Sequence, residues 1–191
     1  MFQYIASNPI INDVVISGGD SYYLLPHHLR FIGDRLLAIP HIRRFRIATK
    51  GPCVSPSRTL DPKDDWTDEL IALVKRGRER GKQIALHTHF NHPNEFSWVS
   101  REAAQKLFEN GVIVRNQSVL LKGVNDSVET MGGLIRELAD NNIQPVSYFD
   151  STPRPNSRCI SYHHSLFQVA TLIPYFFSNP PLSTPRFSPS P

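Results

Sequence analysis

The stretch "HTHFNHPNE" places His87, His89 and His92 within six positions and ends on Glu95. His87 and His89 are two apart, so on an extended strand both project to one face. An H-x-H pair at a strand end, completed by Asp or Glu from elsewhere, is a donor set for a metal-dependent hydrolase. The alternative is one imidazole on a ligand and the others in local hydrogen bonds, with His92 before Pro93 placed in the loop. "SGGD" (Ser17 to Asp20) offers two glycines, whose amides can approach an anion or a ligand carboxylate, and an acidic group that can receive an ammonium. The same four residues also suit a tight turn with an N-capping Asp. In "RNQSVLLKGVND", Asn116 and Gln117 are amides among apolar neighbours and need partners, either a ligand or adjacent strand ends. "YFD" ends on the carboxylate of Asp150.

These residues need a scaffold, and the chain repeats one unit. "DVVISGG" reads as a buried strand stopped by glycines. "LPHHLRFIGDRLLAI" has Leu29, Ile32, Leu36 and Ile39 at helical spacing and is ended by Pro40. "RRFRIATKG" is the next strand. "DWTDELIALVKRGRERG" is a helix with Leu70, Leu73 and Val74 as its apolar stripe and Gly81 just past its end. "QIALHTHF" is a strand, and "VSREAAQKLFENG" is a helix with Ser100 as its expected N-cap and Gly111 as its stop. "VIVRNQSVLL" is a strand, "SVETMGGLIRELADNN" a helix, and "IQPVSYF" begins a fifth strand. Strict strand–helix alternation predicts parallel strands joined by right-handed crossovers, as an open α/β sheet or a partial (βα) barrel. In either arrangement the chemistry gathers at the C-terminal strand ends, where the motifs above fall.

Composition narrows the function classes. A chain of 191 residues, 40% hydrophobic and 20% charged, suits one soluble globular domain rather than a membrane span or a disordered protein. The net charge of +4 is spread along the chain, with no aromatic-interleaved basic groove, so neither nucleic acid nor a membrane is an expected partner. "MFQYIASNPIINDVV" lacks the basic start of a secretory signal, and two cysteines, Cys53 and Cys159, form no disulfide framework. The expected location is intracellular, in the cytoplasm or an organellar matrix. Residues 1–150 are expected to form the βα domain. Residues 151–191, with eight of the 16 prolines, break the rhythm and are expected to be a low-complexity, disordered tail.

Taken together and in this order, "DVVISGGD", "IPHI" with "RIATKGP", "THFNHPNE" and "NQSVLLKGVND" resemble the lysine 2,3-aminomutase family of radical S-adenosylmethionine (SAM) enzymes. The resemblance runs through about residue 145. It implies a partial (βα) barrel entered at its second strand. In that family a [4Fe–4S] cluster cleaves SAM to a 5′-deoxyadenosyl radical. An amino acid substrate, L-lysine in the type reaction, is held as an imine of pyridoxal phosphate (PLP), and its amino group migrates to the adjacent carbon. Position by position, the resemblance assigns Gly18, Gly19 and Asp20 to the SAM methionyl group, His89 and Gln117 to its adenosyl part, and Asp150 to the distal ammonium of the substrate.

The chain departs from that pattern at two places. The three cluster cysteines at C-x₃-C-x₂-C spacing and the glycine-rich segment with the PLP lysine are both absent from these 191 residues. The resemblance therefore implies an internal fragment that performs no aminomutase turnover by itself, with no catalytic and no metal-ligating residue. A truncated gene model, a retained intron or a frameshift would produce it. Two other readings stand beside this one. One is a hydrolase using His87, His89 and Glu95 or Asp150. The other is a non-catalytic remnant that binds a nucleotide-like ligand or a partner protein, with an open sheet edge and apolar face that favour association, a homo-oligomer included, or aggregation.

Overall fold

The computed structural model describes residues 1–150 and Val169–Thr171, with side chains described through residue 146. A short helix α1 (Phe2–Ser7) leads into β1 (Asp13–Ser17), α2 (Pro26–Leu37), β2 (Arg44–Ala48), two short helices α3 (Gly51–Val54) and α4 (Ser57–Leu60), and α5 (Trp66–Glu79). Then follow β3 (Gln83–Thr88), α6 (Trp98–Glu109), β4 (Ile113–Leu120), α7 (Val128–Asp140), β5 (Ile143–Asp150) and β6 (Val169–Thr171). Every strand and long helix expected from periodicity is present, and α1, α3 and α4 are additions. The last two are single turns, too short to carry a periodic signal.

The sheet order is β5-β4-β3-β2-β1-β6, and every neighbouring pair is parallel. This is the α/β architecture expected from strand–helix alternation. The expected tail contributes β6, whose Val169 pairs with Val15. The rest of the tail, residues 151–168 and 172–191, lies outside the described residues, and so does its expected disorder. Among the described residues no helix is long and apolar enough to cross a membrane.

Period-two alternation divides the strands between two environments. Val14, Ile16, Phe45, Ile47, Ile84, Leu86 and Val114 join Leu29, Ile32 and Leu36 of α2 and Leu70 and Leu73 of α5 in one buried cluster. Ile16, Phe45, Ile47, Leu86 and these five helical residues are wholly buried, each contributing roughly 1.5–3 kcal/mol by leaving water. The other sheet face is polar. Asp13 accepts from Arg44 Nε at 2.6 Å and lies 3.3 Å from Arg46, while Arg115 donates to Gln83 Oε1 at 3.3 Å. The apolar face fixes the sheet against its helices, and the strand ends are thereby held in register for the loops that follow.

Candidate functional site

The turn after β1 needs Gly18 and Gly19, whose φ values of 107° and 63° lie where a Cβ is disfavoured. They deliver Asp20 to the end of β2. There Asp20 Oδ1 accepts from the Tyr22 amide at 2.9 Å and from Thr49 Oγ1, and Oδ2 accepts from the Lys50 amide at 3.1 Å. Asp20 thus caps the turn at Ser21–Tyr23 and ties two strand ends together. This is the turn with an N-capping Asp that "SGGD" suits. The next loop is packed closely onto it. A Cβ on Gly51 would lie 2.3 Å from the Tyr22 ring, so a larger residue cannot fit there without displacing that ring.

Lys50 continues the lock to the third strand end. Its ammonium donates to the His89 carbonyl at 2.7 Å and to Glu95 Oε1 at 3.0 Å. Burial pulls the Lys50 pKa down, but the Glu95 hydrogen bond and the nearby charges outweigh it and the net shift is upward. Glu95 is also fully engaged, with Oε2 accepting from the amides of Asn91 at 2.5 Å and His92 at 3.2 Å. Burial raises its pKa, yet these donors and Lys50 hold it below the usual carboxylate range. His92 Nδ1 accepts from the Asn94 amide at 3.1 Å and caps the turn at Pro93–Glu95. Glu95 and His92 therefore build the loop.

His87 lies within β3, is 7% exposed, and its Nε2 has no hydrogen-bond partner among the described residues. Burial, with the guanidiniums of Arg46 and Arg115 and with His89 close by, holds its pKa down to about 3, so the ring is neutral. His89 lies just past the end of β3, and its Nδ1 is 3.1 Å from the Gln117 carbonyl. A carbonyl only accepts, so Nδ1 carries the proton and Nε2 is left as an acceptor. Burial and, more weakly, Lys50 shift His89 downward. The two rings have different surroundings, and no group of three His, Cys, Asp or Glu among the described residues could hold a metal ion. Of the two carboxylates that an H-x-H metal centre could use, Glu95 is committed to Lys50 and two amides, and the Asp150 side chain lies outside the described residues.

Asn116 and Gln117 separate in the same way. Asn116 is buried: its Oδ1 accepts from the Phe90 amide at 2.6 Å, and its Nδ2 donates to the Phe90 carbonyl at 2.9 Å and to Ser118 Oγ at 2.8 Å. A register shift in the β4–β5 pairing falls between Asn116 and Gln117. The half-buried Gln117 side chain has no hydrogen bond among the described residues. Asp150 pairs in register with Leu120 at the end of β5, but its side chain lies outside the described residues. Gly18, Gly19, Asp20, His89 and Gln117 thus meet at the C-terminal ends of β1, β3 and β4. The His89 Nε2 and the Gln117 amide there have no hydrogen-bond partner among the described residues.

A scan against protein-family models finds no match. Among curated proteins, the L-lysine 2,3-aminomutase of Clostridium subterminale is 39% identical over 143 residues, covering 75% of this chain and 32% of its own length. That of Acetoanaerobium sticklandii is 36% identical over the same length, with the same coverage, and that of Escherichia coli is 37% identical over 143 residues, 39% of its length. Over these residues the chain belongs to the lysine 2,3-aminomutase family. It spans well under half the length of these relatives, 32% to 39%. The family segments noted in the sequence are the strand-end loops of the fold. Sequence reading passed over Thr49, Lys50 and Glu95 as the lock of those loops. The only local sign was the polar "TK" before Gly51, because each partner lies about 30 to 45 positions away.

Proposed function

We propose that the C-terminal strand ends bind the SAM of a lysine 2,3-aminomutase-type isomerase, and that the 191 residues alone bind without turning an amino acid over. The observation that carries the reading is the pair of polar groups without a hydrogen-bond partner among the described residues, His89 Nε2 and the Gln117 amide, on the same sheet whose β1 ends in a turn of two glycines held by Asp20. When bound there, SAM would supply the radical-generating sulfonium chemistry of the family. The Gly18–Gly19 backbone would approach its methionyl group, His89 and Gln117 its adenosyl part, and Asp20 would position the turn. Asp150, at the end of β5, would meet the distal ammonium of the substrate, with L-lysine as the type substrate.

The cluster and PLP do not fit the residues described. Three thiolates are needed for the iron. Cys53 is the one described cysteine, and burial pushes its thiol up to about 11, so it stays protonated at neutral pH. Lys50, at the strand ends, is held as an ammonium by Glu95 and the His89 carbonyl, whereas an imine needs a free amine. No step is therefore assigned to either group in this chain.

Calorimetry with SAM and the full chain tests the proposal. Binding heat is expected. Asp20→Ala should abolish it, and Gln117→Ala should weaken it about tenfold with Tm unchanged, because that amide supports no fold contact. Lysine incubated with the chain and SAM should stay unconverted. Absent heat, or heat indifferent to both substitutions, would sink the reading.

A further inference from the structure

At the opposite, N-terminal end of β1, β2 and β3 lies an open cavity of about 430 Å³, lined by Pro9, Asn12, His41, Arg43, Arg80 and Lys82 among others. No Asp or Glu lines it. Lys82 is 9% exposed, yet its ammonium meets only the carbonyls of Leu37 at 2.9 Å and Ile39 at 2.5 Å, at the C-terminal end of α2. An ammonium has three donors, so one remains. Arg43 and Arg80 are exposed, and neither side chain forms an ion pair or hydrogen bond among the described residues. Elsewhere several arginines are paired with carboxylates: Arg30 and Arg76 share Glu69, Arg44 has Asp13, Arg58 has Asp64 and Arg101 has Glu137, whereas Arg35, Arg78, Arg115 and Arg136 form no ion pair among the described residues but do not line this cavity.

Three like charges gathered at one concavity repel one another, and burial of Lys82 beside Arg80 adds to the cost. The α2 carbonyls offset part of it for Lys82 alone. No ion pair among the described residues offsets it for Arg43 and Arg80. We infer that this cavity is an anion site for a phosphoryl group, held by Arg43, Arg80 and the remaining Lys82 donor. Guanidinium forks match phosphoryl oxygens two at a time. A doubly charged group suits three cations better than a single carboxylate does, and the cavity leaves room for a small organic substituent.

The test titrates the full chain at low ionic strength with inorganic phosphate and, separately, with glycerol phosphate, by calorimetry. Binding of at least one is expected. Arg43→Gln and Arg80→Gln should each weaken it about tenfold, as the loss of a charge-assisted hydrogen bond predicts. Lys75→Gln, an equal charge loss at an exposed site of α5 outside the cavity, should leave affinity within about twofold. Tighter binding of glycerol phosphate assigns a phosphomonoester and tighter inorganic phosphate the free ion, and either upholds the site. No binding of either, or equal weakening by Lys75→Gln, overturns it. Arg43→Gln should leave SAM binding intact, so this site and the strand-end site fail separately.

Discussion

At the C-terminal end of the sheet the charged side chains are engaged by the loops themselves: Asp20 by three donors, Glu95 by three, Lys50 by two acceptors. At the N-terminal end Arg43 and Arg80 have no such partner, and Lys82 meets only carbonyls. The first end is rigid before any ligand arrives, because each loop is tied to a neighbour 28 or more positions away. The second leaves its charge uncompensated. A site that must hold a large, many-featured ligand gains from the first arrangement, since ordering is already complete. A site for a compact anion needs only converging donors. The two ends should therefore respond differently to substitution: the first through fold stability, the second through salt and anions.

The largest effect expected at the locked end is from Asn116→Leu. The side chain is nearly isosteric, but the Phe90 amide would lose its only acceptor among the described residues, and the Phe90 carbonyl would keep only Ser118 Oγ there. A buried donor left unsatisfied, with a lost hydrogen bond, should cost about 3 kcal/mol. Urea unfolding checks it, with an unchanged slope and a lowered midpoint. A loss near zero would mean that the third loop is not held through Asn116, and the contrast between the ends would weaken.

His87 gives the next test, through pH. Its folded pKa of about 3 lies below the ordinary 6.5. Above 6.5 both states are neutral and nothing is contributed. As pH falls below 6.5 the unfolded chain takes a proton that the folded chain refuses, so stability falls steadily toward pH 3. At pH 5 the loss is about 2 kcal/mol. His89 is shifted in the same direction and adds to the slope. The depressed carboxyls of Glu69 and Glu95 act mainly below their ordinary 4.5, outside this window. His87→Asn should flatten the loss of stability between pH 6.5 and 5, measured by denaturant midpoints at each pH. An unaltered slope would show that His87 titrates normally and that its surroundings are wetter than the geometry implies.

Much of this was legible from the residues. Leu29, Ile32 and Leu36 fall at a helix period and are wholly buried; the glycines of "SGGD" end a strand at positive φ. Period and turn chemistry are local, so a sequence carries them openly. What was not legible is non-local. The reading of His87, His89 and Glu95 as one donor set used their spacing alone. Glu95 is claimed by Lys50, which arrives from a different strand end, and no spacing within "HTHFNHPNE" announces that. Asn116 and Gln117 looked alike for the same reason: as strand neighbours they point to opposite faces, and the Phe90 backbone that satisfies Asn116 lies 26 positions away.

The smallest effect separates two serines that the sequence alone ranked wrongly. Ser100 was the expected cap of the third long helix, but Ser97 is the N-cap and Ser100 sits one turn in. Ser97 Oγ accepts from the Ser100 amide at 3.1 Å, and Ser100 Oγ accepts from the Ser97 amide at 3.3 Å, so each satisfies the other. In the structure Trp98, 74% exposed, opens the helix, three positions after the strand-end turn, so the cap falls one turn earlier than Ser100. The capping hydroxyl meets an amide that has no carbonyl within the helix, whereas Ser100 closes back on an amide outside it. Ser97→Ala should therefore cost about 1 kcal/mol and Ser100→Ala roughly half as much. Equal losses, read from urea midpoints, would mean the reciprocal pair acts as one unit. A larger loss at Ser100 would move the helix start back to where the sequence first put it, and with it the position of the loop that carries His89.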